Sequence, residues 1–307
     1  MLKIGSLKLK SNLILAPLAG ISDLPFRMLN RKFGAQLGFI EMINCRSASY
    51  KSRRTAQMLS THPEDRPLGV QLLGCEEQFI SKALDVVEKC KFDILDFNAA
   101  CPAKKVVRRG EGAGLLKEPK KLQKILKLLV KNSKVPVTVK IRSGWDKDSI
   151  NAREVAVLAE DAGIDGLFIH GRTKLQGYGG DVDYKVIKEV KEALKIPVIA
   201  SGDIFSQQLI KRMFDDTGCD GVAVARGCLG NPWIFNAEKP QKKEVIRVML
   251  EHLSGCIDFY GERNGVMMFR KFFCWYTKGF RKIRHLREKS SRAKTQSQML
   301  EIIEGCR

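Results

Sequence analysis

The chain is 307 residues long, 44% hydrophobic and 29% charged, with a net charge of +20 at pH 7. These proportions exclude a disordered or collagen-like chain, and the length is enough to bury a full core without disulfide or metal staples. No run approaches ~20 uninterrupted apolar residues, so no membrane span is expected. Met1 to Lys10 hold three lysines and no long apolar run, which argues against a secretory leader and for a cytoplasmic protein. The nine cysteines include no C-x-x-C pair. With four histidines beside them, they are read as reduced thiols rather than a metal centre or a disulfide framework.

Short apolar runs then recur in order: Leu13 to Pro17, Leu37 to Glu41, Leu68 to Leu72, Ile94 to Asn98, Val135 to Ile141, Gly166 to His170, Pro197 to Ser201 and Gly221 to Ala225. Each is β-branched or Leu-rich and ends in a polar or small residue, and continuous rather than alternating apolarity fits strands buried on both faces of a parallel sheet. Amphipathic helices separate them. Lys120 to Asn132 sets Leu122, Ile125, Leu126 and Leu129 against lysines. Ile150 to Ala162, Asp183 to Leu194 and Ser206 to Asp216 repeat the pattern, with Ser206 a natural N-cap. Eight such units ending near Phe235 are expected to close into a (β/α)8 TIM barrel, an α/β fold of about 250 residues. An open doubly wound sheet shares the alternation and is the runner-up.

After Phe235 the rhythm changes. Lys239, Pro240, Lys242 and Lys243 read as a polar linker, and Val245 to Tyr260 as a helix with Ile246, Met249, Leu253, Ile257 and Tyr260 on one stripe. Val266, Phe269, Phe273, Tyr276 and Phe280 make a second stripe, and a third helix is expected from about Gln296. The chain therefore divides into a barrel domain, 1–238, and a small helical domain, 239–307. From Arg270 to Lys294 ten Lys and Arg face a single acid, Glu288. A clustered positive field points to nucleic acid before an anionic membrane. The candidates for RNA contact are Arg270, Lys271, Lys278, Arg281, Lys282, Arg284 and Arg287. Phe272, Phe273, Trp275, Tyr276 and Phe280 are expected to pack the helical core.

Polar residues at the C-terminal ends of barrel strands line the active face. Those ends read Ala16-Pro17, Glu41, Gln71, Asn98, Lys140, Arg142, His170, Ser201 and Ala225, where the strand pattern otherwise demands apolar side chains. The loops Ser201-Gly202-Asp203-Ile204 and Ala225-Arg226-Gly227 stand where barrels hold phosphates on backbone N–H groups. Their glycines allow close approach and Arg226 adds charge; two ordinary glycine turns are the plainer alternative. Cys101 precedes Pro102 just beyond the fourth strand, so its loop is extended and its thiol can project over the barrel mouth. A buried loop thiol fits the same residues. Lys104, Lys105, Arg108 and Arg109 follow it and are further candidates for RNA contact.

These pieces, together with others, resemble the tRNA-dihydrouridine synthases, and most closely their bacterial B-type branch. The matching segments are Ala16-Pro17-Leu18-Ala19-Gly20-Ile21-Ser22-Asp23, Pro25-Phe26-Arg27, Val70-Gln71-Leu72 and Asn98-Ala99-Ala100-Cys101-Pro102-Ala103-Lys104-Lys105-Val106. Lys140-Ile141-Arg142-Ser143-Gly144-Trp145, Ile169-His170-Gly171-Arg172-Thr173, Ser201-Gly202-Asp203, Arg226-Gly227 and Trp275-Tyr276-Thr277-Lys278-Gly279 follow in family order. The resemblance implies an FMN across the barrel mouth. It carries Pro17, Leu18 and Ala19 to backbone contact with the flavin, and Gln71, Lys140 and His170 to its ring edge. Ser201, Gly202, Asp203, Ala225 and Arg226 become the ribityl and phosphate cradle, and Asn98 and Arg142 the contacts of the target uracil. Three positions depart from the family pattern: Ala100 and Ala225 stand where glycine is common, and Ser201 where asparagine is.

Reducing the uracil 5,6 double bond needs a hydride on one carbon and a proton on its neighbour. The resemblance assigns the hydride to reduced FMN and C6. Cys101 is the candidate for protonating C5, since a thiol is largely protonated at neutral pH. Arg142 or Lys140 would stabilise charge developing on the uracil oxygens. The target base must be swung out of the folded tRNA. NADPH, or NADH, is the expected transient electron donor, tRNA the expected partner and a monomer the expected state, with no metal and no membrane involved. Two other classes stay open on sequence. A flavin barrel acting on a free pyrimidine or orotate would need no basic tail, and a non-enzymatic RNA-binding protein would leave Cys101, Lys140 and His170 unexplained.

Overall fold

The computed structural model describes residues 1–50 and 53–306. It opens on a hairpin that the apolar runs do not mark, β1 (Leu2–Ile4) antiparallel to β2 (Leu7–Leu9). Then come β3 (Leu13–Leu15), β4 (Leu37–Phe39), a short β5 (Ile43–Asn44), β6 (Leu68–Leu73), β7 (Ile94–Asn98), β8 (Val137–Arg142), β9 (Gly166–His170), β10 (Val198–Ser201) and β11 (Gly221–Val224). All of these pair in parallel, β11 against β3 and β4 against β6, so eight strands close on themselves while β5 prolongs one seam along the end of β6. Closure decides for the TIM barrel and against the open sheet. Each expected strand is present at its expected place.

The helices between strands are α1 (Leu24–Lys32), α2 (Cys45–Ser49), α3 (Arg53–Met58), α4 (Glu77–Val87), α5 (Lys104–Val107), α6 (Pro119–Asn132), α7 (Ala152–Glu160), α8 (Tyr184–Ala193) and α9 (Gln207–Thr217). Local chemistry fixes their ends. Asp23 caps α1 by accepting from the Phe26 N–H, and Ser206 caps α9 by accepting from Leu209 N–H at 3.3 Å, as its position in the sequence suggests. Gly218, at φ +66°, ends α9 in the left-handed conformation that side chains resist.

The barrel is filled in layers. Leu2, Ile4 and Leu9 of the hairpin plug its N-terminal end against Ile14, Leu37 and Ile94. Above them Phe39 and Phe168 meet edge to face, with ring centroids 5.7 Å apart. The next layer is polar and belongs to the site.

Four helices complete the chain: α10 (Lys242–Tyr260), α11 (Glu262–Tyr276), α12 (Arg284–Ser290) and α13 (Gln296–Glu304). Lys242 and Lys243 form the first turn of α10 and are not linker, because the buried stripe already begins at Val245 and Ile246. Helix α12 is unexpected. α10 and α11 pack closely where a Cβ on Gly265 would stand 2.5 Å from the Cys256 carbonyl oxygen. The α11 aromatics turn inward as expected, with Phe272, Phe273 and Tyr276 buried. They do not close a separate core. Phe272 stacks on Phe26 of α1 at 5.5 Å, Tyr260 donates to Asp23 at 2.9 Å, and Lys271 Nζ donates to the Gly20 carbonyl. The helical tail and the barrel thus share one continuous hydrophobic core.

Candidate active site

Strand register assembles the polar layer. Gln71 lies beside Asp96 and Asp96 beside Thr138; one step further along, Asn98 lies beside Lys140. Arg142 lies beside His170, and His170 beside Ser201. Side chains alternate between the two faces of a strand, so this register sends all of them into the barrel, at its C-terminal end. The cleft above them opens to solvent and is lined by both apolar and polar side chains, the mixture typical of cofactor sites. Pro17, Leu18, Ala19, Gln71, Asn98, Cys101, Lys140, Arg142, His170, Ser201, Gly202, Asp203, Ala225 and Arg226 all line it, so the residues expected from separate motifs share one mouth.

The electrostatics of this wall follow from burial. Lys140 Nζ donates to Ser201 Oγ at 3.0 Å, and that hydroxyl donates in turn to the Ile169 carbonyl at 3.0 Å. Burial lowers the Lys140 ammonium to about 8, against the pull of Asp96 in the other direction. Burial also lowers His170 to about 2, helped by the surrounding cations Arg142, Lys140, Arg172 and Arg226. His170 is therefore a neutral imidazole at any working pH. Arg142 is brought down to about 10, again chiefly by burial, and stays charged.

The two loops expected to hold phosphate need their glycines. Gly202 sits at φ +130°, and a Cβ there would meet Val182 at 2.8 Å; at Gly227 it would lie 1.7 Å from the Ile204 carbonyl oxygen. Asp203, at φ +49°, is held in the left-handed region by Arg172 and by Arg226, whose Nη2 donates to Oδ1 at 2.6 Å. The hydrogen bond from Arg172, outweighing partial burial, keeps the Asp203 carboxyl below its usual range. Arg226 is 39% exposed and packs over Tyr178, 4.7 Å from the ring centre. Close-approaching backbone beside a cation with donors to spare is the chemistry of a phosphate cradle.

One family model covers nearly all of the described chain. The family is dihydrouridine synthase, matched over residues 14–306. The chain belongs to the dihydrouridine synthase family. Members are FMN-dependent oxidoreductases, and the cleft suits FMN: a cationic glycine cradle at one end, and a lysine, a neutral histidine and a glutamine amide further in. Among similar proteins, a probable tRNA-dihydrouridine synthase of Rickettsia bellii is 42% identical over 291 residues, 91% of this chain and 89% of that one. The tRNA-dihydrouridine synthase B of Pasteurella multocida is 40% identical over 91% of this chain and 87% of its own. The B-type enzyme of Vibrio cholerae is 37% identical over 99% and 98%. Among solved structures, the 6-hydroxypseudooxynicotine amine oxidase of Pseudomonas geniculata superimposes with a TM-score of 0.61 at 14% identity, over 76% of this chain and 48% of that one. That likeness shows the fold alone.

The departures from the family pattern are accommodated. Ala100 has no positive φ, so the backbone does not require glycine there. Ser201 accepts the Lys140 hydrogen bond, and Ala225 adopts φ −111° and ψ −99° without a left-handed turn.

Both expected uracil contacts line the cleft, and both are also bound within the protein. Asn98 is fully engaged within the protein: Nδ2 donates to Gln71 Oε1 at 2.8 Å and to Met42 Sδ at 3.2 Å, while Oδ1 accepts the N–H groups of Ala100 and Cys101 at 3.0 and 2.8 Å. It shapes the cysteine loop, and contact with a base would require giving up one of these bonds. Arg142 donates from Nε to the Ala100 carbonyl and from Nη1 to the carbonyls of Thr173 and Gly177; among the described residues Nη2 has no acceptor, and the residue lines the cleft.

Several lining residues have no signal in strand-end reasoning. Tyr178, 60% exposed, stands over Arg142 and Arg226 from the loop Gly177-Tyr178-Gly179-Gly180; Met42 and Phe205 also line the cleft. The glycines around Tyr178 are the one mark that could have drawn notice.

The RNA candidates separate into two groups. Arg270 donates twice to the Ala293 carbonyl, Lys271 to Gly20, and Arg287 to Thr277 Oγ1 and to the Thr277 carbonyl. These three are half-buried and brace the tail through bonds within the protein. Lys278, Arg281, Lys282 and Arg284 are exposed, as are Lys104, Lys105, Arg108 and Arg109 beside the cleft. Of these, Arg109 pairs with Glu111 at 2.9 Å and Arg284 with Glu288 at 3.3 Å. Among the described residues no helix is long and apolar enough to cross a membrane, and no group of three His, Cys, Asp or Glu is placed to hold a metal.

Proposed function

We propose that this protein reduces uridines of tRNA to dihydrouridine in the cytoplasm, with FMN in the cleft and NADPH, or NADH, as the transient donor of electrons. The observation that carries the reading is the convergence, at one barrel mouth, of the Cys101 loop, the cation pair Lys140 and Arg142, and the glycine cradle beside Arg226. Residues 1–238 form the catalytic barrel and 239–307 the helical domain that grips RNA. FMN, when bound, supplies the hydride that C6 of the base receives.

The protein's own residues do the rest. Gly202, Gly227 and Arg226 hold the phosphate, and Pro17, Leu18 and Ala19 present backbone to the flavin. Gln71, Lys140 and the neutral His170 meet its ring edge; a neutral imidazole there can accept or donate a hydrogen bond without adding charge. Cys101 gives its proton to C5 of the base. The free donors of Arg142 lie where negative charge grows on the uracil carbonyl, and in a dry cleft such fixed charge lowers the barrier by several kcal/mol. Lys278, Arg281, Lys282, Arg284, Lys104, Lys105 and Arg108 neutralise phosphates, from which most RNA affinity comes. The test is direct: the purified protein should be yellow with one FMN per chain, and should form dihydrouridine in a tRNA transcript with NADPH. Colourless protein that takes up no FMN would end the proposal.

A further inference from the structure

We infer that Asp96 is a positioning residue for Cys101: its carboxylate sets the direction of a hydrogen-bond chain that crosses the barrel floor and ends on the backbone of the cysteine loop. This rests on the role proposed above for the Cys101 thiol. Asp96 lies in the strand interior, is 1% exposed and touches neither the cleft nor the surface. Yet it is the terminus of five ordered bonds. Thr138 Oγ1 donates to Asp96 Oδ1 at 2.7 Å and Gln71 Nε2 to Oδ2 at 2.7 Å. Asn98 Nδ2 donates to Gln71 Oε1 at 2.8 Å, and the N–H groups of Ala100 and Cys101 donate to Asn98 Oδ1.

Every donor in this chain points towards Asp96. A carboxylate only accepts, so Gln71 must turn its amino group to it and its carbonyl to Asn98. Backbone N–H groups only donate, so Asn98 must turn its oxygen to Ala100 and Cys101. Both ends enforce one polarity, and reversing either amide would set donor against donor in a buried layer. Strand register makes the chain possible, since Gln71, Asp96 and Thr138 lie side by side on three adjacent strands. The loop beyond β7 carries a Cys-Pro step, and no helix organises it before α5. Its second and third N–H groups, those of Ala100 and Cys101, take their direction from Asn98, and through it from Asp96.

The test reads the loop without relying on turnover. Holoenzyme is exposed to iodoacetamide at neutral pH and the labelling rate of each cysteine is followed by peptide mass spectrometry. Cys274, exposed on the tail, serves as the internal standard, and buried Cys45 and Cys228 report general loosening. Asp96→Leu removes the acceptor while filling the space. The Cys101 to Cys274 rate ratio should rise about tenfold, equivalent to about 1.4 kcal/mol. Asp96→Asn can still accept from Gln71 while donating to Thr138, and should stay within about twofold of the parent ratio. If Asp96→Leu does not fold, Gln71→Leu cuts the same chain one link further on and should give the same rise. An unchanged ratio, equal acceleration of Cys45 and Cys228, or Asp96→Asn behaving like Asp96→Leu would overturn the inference. Parent enzyme that makes no dihydrouridine would instead refute the proposed function, while the labelling result would still decide whether Asp96 orders the loop.

Discussion

Replacing Arg226 by Ala separates two contributions that the structure makes unequal. In the protein without cofactor, Arg226 makes one ion pair, to Asp203 at 2.6 Å, between side chains that are 39% and 34% exposed. Pairs this open contribute less than about 1 kcal/mol, and Asp203 keeps its second partner, the buried Arg172. Unfolding of the apoprotein should therefore shift by no more than a few degrees. Binding is different. Arg226 lines the cleft together with Gly202 and Gly227, and a phosphate there would take charge-assisted bonds from its remaining donors worth about 1.5–3 kcal/mol. The dissociation constant for FMN should rise roughly tenfold to a hundredfold. Titrating apoprotein with FMN and following the quenching of flavin fluorescence measures it. Arg226→Lys, a point charge without the fork, should fall between the two. A dissociation constant within twofold of the parent in the alanine variant, with its melting point unchanged, would show that the phosphate lies elsewhere.

Cys101→Ala should keep the fold and the FMN and still be reduced by NADPH, yet lose nearly all dihydrouridine formation; near-normal product would remove the thiol from the chemistry. Because burial places the Lys140 ammonium near 8, its charge is present below that pH and lost as pH rises through it. Turnover should therefore decline on an alkaline limb near pH 8, and Lys140→Arg, if it retains activity, should abolish that limb; a limb unmoved by the substitution would belong to another group. Charge reversal of Arg281, Lys282 and Arg284 to Glu should flatten the salt dependence of tRNA binding, by roughly 0.7 to 0.9 in log–log slope for each phosphate that the tail no longer neutralises. NADPH oxidation should be unaffected, and an intact slope would shift the grip to Lys104, Lys105 and Arg108.

The barrel is legible because its strands are buried on both faces. Runs such as Gly166 to His170 stay apolar without alternating and then end in a polar side chain, His170, which marks strand and site together. The hairpin Leu2 to Leu9 is missed because Lys3 and Lys8 dilute its apolar content below that of the true barrel strands, although Gly5, at φ +54°, turns it. Helix α12 hides in charge: Arg284 to Ser290 buries only Leu286 and Ser290. Charge is also an incomplete guide for Arg270, Lys271 and Arg287, which are tied down within the protein. A cation count records the side chain's sign but not the carbonyl it is bound to, and those carbonyls come from residues distant in the sequence. Asp96 escapes notice for the same reason, since its partners lie on neighbouring strands.

The hairpin plug has a consequence for the order of events during synthesis. Leu2, Ile4 and Leu9 leave the ribosome ahead of every barrel strand, but the wall they seal is completed only when Val222 pairs beside Leu13. At translation rates of about 5–20 residues per second, that partner arrives roughly 10 to 40 s later. Until then the apolar faces of β1 and β2 have no final resting place, and the seam between first and last strands stands open. Local strand–helix units can form while they wait, but closure depends on the most distant contacts in the barrel, the kind that slow folding. The nascent chain is therefore most exposed to aggregation at this hairpin.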